Sequence, residues 1–73
     1  MAGKTILLVN NARDLADSIR ARLVRDGFEV ICAYKGQEGI RKFIESMPQA
    51  VILLDALPDM SGWDMAKRIR EMS

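Results

Sequence analysis

Residues 4–11, Lys-Thr-Ile-Leu-Leu-Val-Asn-Asn, decide the fold. A short apolar run that stops at two asparagines reads as a strand running into a turn. Glu-Val-Ile-Cys-Ala at 29–33 and Ala-Val-Ile-Leu-Leu at 50–54 read the same way. The first and third runs are almost continuously apolar instead of alternating, which suits strands covered on both faces of a parallel sheet. Helices are then required between them.

The spacing supplies those helices. Ala12, Leu15, Ala16, Ile19 and Leu23 recur every three or four residues, while Arg13, Asp17, Arg20, Arg22 and Arg25 fall elsewhere, which predicts an amphipathic helix over about 12–26. Asn11 is positioned to cap it by accepting the Asp14 N–H. Gly36 opens a second helix over about 36–46, striped by Ile40, Phe43, Ile44 and Met47 and closed by Pro48, with Glu38 and Lys42 as an i, i+4 pair. Pro58 and Gly62 bound a loop, and Met65, Ala66, Ile69 and Met72 stripe a third helix over about 62–72. With strands at about 4–9, 29–33 and 50–54, the order is βαβαβα. This alternation predicts an α/β fold, one unit over 1–73 with a parallel sheet and right-handed crossovers.

Composition narrows the function classes. Of 73 residues, 49% are hydrophobic and 29% charged, the balance of a globular chain. Eleven Lys and Arg against ten Asp and Glu leave a formal charge of +1, so no strong field draws in nucleic acid or anionic lipid. The apolar runs are far shorter than the roughly 20 residues that cross a bilayer, and no signal-peptide pattern opens the chain, so a cytoplasmic location is expected. Cys32 is the single cysteine and reads as a buried structural thiol. With no histidine, no phosphate-binding glycine loop and no nucleophile–base pair, there is no basis for an enzyme, a metal site or a cofactor. Tyr34 and the methionines at 47, 60, 65 and 72 read as packing, and Trp63 as a half-exposed ring covering the loop before the third helix.

Three segments in this order resemble response-regulator receiver domains: Ile6-Leu7-Leu8-Val9-Asn10-Asn11, Val51-Ile52-Leu53-Leu54-Asp55, and Pro58-Asp59-Met60-Ser61-Gly62. The resemblance implies half of a flavodoxin-like doubly wound sheet with strand order 2-1-3. It also implies that Asp55 stands where a receiver accepts a phosphoryl group from a histidine kinase, and that Asn10 and Asn11 stand where an acidic pair holds Mg²⁺. The acidic pocket is therefore degenerate, because an amide oxygen brings no net charge to a hard cation. Mg²⁺, expected in intact family members, should bind very weakly. Only Ala56 and Leu57 separate Asp55 from Pro58, where three residues are usual, and the later strands carrying a Ser or Thr switch and a phosphate-pairing Lys do not occur in the chain.

In the order 2-1-3 the third strand is an uncharged apolar edge, which invites pairing with another chain. Val51, Ile52 and Leu53 are the candidate dimer edge, with two third strands meeting across a two-fold axis to give a sheet ordered 2-1-3-3-1-2. Two functions remain open. One is a receiver-derived, self-associating module of a two-component phosphorelay that no longer takes phosphate, with a second copy, the missing half-domain or a histidine kinase as partner. The alternative is a phosphoacceptor receiver acting through Asp55.

Overall fold

The computed structural model describes residues 4–53 and 57–72, and the strand assignments follow from the apolar runs. Strand β1 (Thr5–Val9) lies between β2 (Glu29–Ala33) and β3 (Ala50–Leu53), both parallel to it, giving the order 2-1-3. Helices α1 (Arg13–Arg25), α2 (Gly36–Ser46) and α3 (Gly62–Met72) complete the alternation. Each element sits within a residue or so of its predicted span.

Register decides which side chains meet. Leu7 stands opposite Ile31 and Val51, and Leu8 opposite Cys32 and Ile52. Because side chains alternate across a strand, Leu7, Val9, Ile31, Ala33, Val51 and Leu53 share one face. That face carries the main core: Leu7, Val9, Ala33, Leu57 and Met65 are buried together, with Ile40 and Phe43 of α2 and Ile69 of α3 packed on them. Gly39 allows the close approach of α2, since a Cβ there would stand 3.1 Å from Val9 and still closer to the Met65 methyl. The opposite face, with Ile6, Leu8, Val30, Cys32 and Ile52, is covered more thinly. Helix α1 packs on β2 and β1, buries only Ala16, and leaves Leu15 and Val24 about half exposed.

The helix ends correct one expectation. Asn11 is exposed and does not cap α1; the N-cap position is Ala12, without a side-chain acceptor. Asn10 intervenes one residue earlier, its Oδ1 accepting the Ala12 N–H at 3.0 Å, because an Asx side chain reaches a backbone donor two residues on. At the other end Gly27 adopts φ +96°, and the Phe28 and Gly27 N–H groups return to the Leu23 and Val24 carbonyls, a Schellman closure. Helix α2 ends at Met47 in a left-handed conformation (φ 46°), where its N–H bonds the Phe43 carbonyl. Ser61 caps α3 by accepting the Asp64 N–H at 3.0 Å.

Candidate functional site at the carboxyl ends of the strands

Ligand crevices of open α/β sheets lie beyond the carboxyl ends of the strands. At that end of β1 stands Asn10, 3% exposed and the one buried polar or charged residue among those described. Its backbone N–H donates to the Ala33 carbonyl at 3.0 Å, continuing the β1–β2 ladder one residue past the strand. With Oδ1 spent on Ala12, its Nδ2 is buried without a hydrogen-bond partner among the described residues. Such a donor carries a desolvation cost of about 1–3 kcal/mol, which is tolerated here because the other half of the amide fixes the turn into α1. Asn11 points to solvent. The register sets Val9 against Leu53, so β1 and β3 finish side by side; Asp55 lies outside the described residues. No group of three or more His, Cys, Asp or Glu that could hold a metal occurs among the described residues.

Beside this turn lies a second arrangement, framed by the carboxylates of Asp59 and Glu38. Lys35 occupies the N-cap of α2 and offers no acceptor. Asp59 supplies it from across the chain: its two oxygens accept the N–H of Gly36, 23 residues before it, at 2.6 Å and the Gln37 N–H at 2.9 Å. Glu38 accepts the Tyr34 N–H through Oε1 at 2.8 Å and meets Lys42 Nζ through Oε2 at 3.5 Å. Lys42 also donates to the Cys32 carbonyl at 2.7 Å, so the anticipated Glu38–Lys42 pair fastens α2 to the end of β2. Arg13 stacks on the Tyr34 ring, 4.5 Å from its centroid. The one sequence signal for Asp59 is negative: a helix opening on Lys35 must borrow its acceptor from elsewhere.

Both carboxyls titrate below their ordinary range. The Gln37 N–H, then the Gly36 N–H, lowers that of Asp59, and the Tyr34 N–H, more than Lys42, lowers that of Glu38. A carboxyl depressed in the folded state stabilises the fold above its unfolded pKa, and that contribution is lost as pH falls through the folded value. Thermal melts should therefore be level from neutrality down to about pH 5 and then drop through the carboxylate range. In Asp59→Asn that acid drop should be smaller, measured by circular dichroism.

At the β3 edge, the register places Val51 and Leu53 against the core and Ile52 on the opposite face, beyond the strands on which α1 packs. Trp63 departs from expectation. It is 73% exposed and lies along α3 beside Ala66, Lys67 and Arg70 instead of covering the loop; Leu57 fills the buried space there. Cys32 is partly buried. No helix among the described residues is long and apolar enough to cross a membrane.

Comparison with known proteins places this architecture. No family model matches the chain. It is 34% identical over 67 residues to the uncharacterized transcriptional regulatory protein YcbL of Bacillus subtilis, covering 92% of this chain and 30% of that protein. It is 35% identical over 66 residues to the transcriptional regulatory protein TrcR of Mycobacterium tuberculosis, covering 90% and 26%. Among solved structures it is similar to the response regulator TrrA of Thermotoga maritima in complex with Mg²⁺-BeF, with TM-score 0.92 and 30% identity over 96% of this chain and 61% of that one. TrrA in complex with the histidine kinase ThkA gives TM-score 0.90 at the same identity. The signal receiver domain of a LuxO-type repressor of Vibrio parahaemolyticus gives TM-score 0.90 at 28% identity. The chain thus spans under a third of the curated relatives and about three fifths of the TrrA structure.

Proposed function

From the premise that this chain is part of a response-regulator receiver domain of two-component signalling, we propose that it serves as an assembly module that does not take up phosphate. One observation carries the reading: the buried Asn10 presents an amide donor, without a hydrogen-bond partner among the described residues, where a cation would need an acceptor, its side-chain oxygen being held by the Ala12 N–H. Phosphoryl transfer to a carboxylate brings anions together and depends on a divalent ion to offset them. An N–H₂ group repels that ion, and an exposed Asn11 adds no charge to replace the loss. The residues described do not suit Mg²⁺.

The module's partners follow from its open edge. A second copy pairing through β3 is the reading we favour, since strand edges are completed by other strands. A second reading keeps Asp55 as a phosphoacceptor for a histidine kinase; the TrrA–ThkA complex supports that partnership for a similar fold.

Titration with Mg²⁺ and beryllofluoride, followed by amide NMR, decides between them. The expected result is no saturable shift at Asn10, Ala12 or Ala33 at millimolar Mg²⁺, with a response gained in the Asn10→Asp, Asn11→Asp double variant. A saturable response in the unaltered chain would overturn the proposal in favour of the phosphoacceptor.

A further inference from the structure

Beside the β1–α1 turn, Arg13, Tyr34, Lys35, Gln37, Glu38 and Arg41 line one open hollow of about 570 Å³ at the carboxyl end of the sheet. We infer that this hollow binds a small polyanion, a di- or triphosphate group free or carried on a nucleoside, through Arg13, Lys35 and Arg41.

The argument is one of unbalanced charge. Three cations line the hollow, and none of them has a carboxylate within 4.0 Å among the described residues, where the ion pairs are Arg22–Asp26 and Lys42–Glu38. Glu38 is the one acid on the wall, and both its oxygens are spent, one on the Tyr34 N–H and one on Lys42. Asp59, in the loop before α3, is held by the Gly36 and Gln37 N–H groups and faces Lys35 without forming an ion pair with it. Among the described residues the three cations therefore form no ion pair; Lys42 balances Glu38, and the ionised Asp59 offsets Lys35 only through space, which leaves the hollow positive.

The frame is also ordered before any ligand arrives. Tyr34 is held at its N–H by Glu38 and at its ring by Arg13, which fixes the plane of the guanidinium. Asp59 fixes the first turn of α2, and with it the roots of Lys35 and Gln37. A planar guanidinium presents paired donors that match phosphate oxygens, and Lys35 adds a mobile point charge. Three cations outside any ion pair among the described residues, only partly offset by Asp59, favour a ligand with several negative charges such as pyrophosphate, and the volume lies within the range of small-molecule pockets. The Gly36 and Gln37 donors are already taken, so recognition rests on side-chain charge and weakens steeply with salt.

The test is titration with sodium pyrophosphate at low ionic strength, followed by amide NMR, with sulfate at matched ionic strength as control. Saturable shifts confined to Arg13, Tyr34–Glu38 and Arg41, and about tenfold weaker binding in Arg41→Glu and in Lys35→Glu, support the site. Arg68→Glu, at an exposed position on α3 outside the lining of the hollow, should bind as the unaltered chain does. Inorganic triphosphate and a nucleoside triphosphate are then compared. Equal affinity identifies the phosphate chain as the ligand, and tighter nucleotide binding identifies the nucleoside as well. Non-saturating shifts spread over all the cations, an equal response to sulfate, or unchanged binding in Arg41→Glu would overturn it. Failure here leaves the Mg²⁺ titration untouched, because the two sites share no residue.

Discussion

Leu7→Ala is expected to abolish the cooperative thermal transition of this chain. Leu7 is fully buried at the middle of the central strand, opposite Ile31 and Val51 and within the cluster that joins Val9, Ala33, Leu57 and Met65. Removing a buried leucine side chain costs about 2–5 kcal/mol, counting the cavity left behind. A single core in a domain of this size supplies only about 3–5 kcal/mol of net stability, so the substitution consumes most of it. Leu15→Ala, at a position 47% exposed on α1, should cost under about 1 kcal/mol. Circular dichroism melts of the two variants make the comparison. A sharp Leu7→Ala transition within a few degrees of the unaltered chain would mean that stability comes from outside this core.

Ile52→Lys is expected to convert the proposed dimer to a monomer while leaving the fold intact. Val51 and Leu53 face the core, so a lysine at either would unfold the protomer and say nothing about association. Ile52 lies on the other face, at the margin that α1 leaves open. A two-fold junction between β3 strands would bury two copies of that lysine close to the axis. Desolvating them without partners weakens association by at least about 100-fold. Light scattering across a dilution series reads the outcome directly. A dimeric Ile52→Lys variant would place the interface elsewhere, and an unaltered chain that is monomeric at high concentration would eliminate edge pairing.

The sequence shows the elements clearly because each is announced by a period: continuous apolar runs for β1 and β3, and three- and four-residue spacing for the helices. Strand order 2-1-3 is what the family resemblance implies, while the alternation by itself calls only for parallel strands with right-handed crossovers. What stayed hidden was chemistry between segments distant in the chain. Asn11 is as good a cap as Asn10 on paper, and only the geometry of the turn gives the bond to Asn10. Asp59 capping α2 spans 23 residues and has no local signature. Leu57 fills the interior by virtue of a loop conformation that periodicity does not describe, which leaves Trp63 outside. In the candidate pocket, Asn10 and Asn11 were identifiable by position, but that Asn10 is buried with a donor lacking a partner among the described residues is a fact of three dimensions.

The Asp59 bridge also sets an order of events during synthesis. Helix α1 draws on its own neighbourhood, the Asn10 turn before it and the Gly27 closure after it. It can take shape as soon as β1 and β2 have left the ribosome. Helix α2 can form only uncapped at first: its first donors wait for a residue made 23 positions later, about one to five seconds at ordinary elongation rates, and a missing cap weakens a helix by about 0.5–2 kcal/mol. Until then its leading turn frays, and the β2–α2 junction, with Tyr34 and Lys35 on it, remains pliable. The nascent chain thus matures in two instalments, a βαβ unit first and the α2–α3 layer second, with a single carboxylate closing the interval between them.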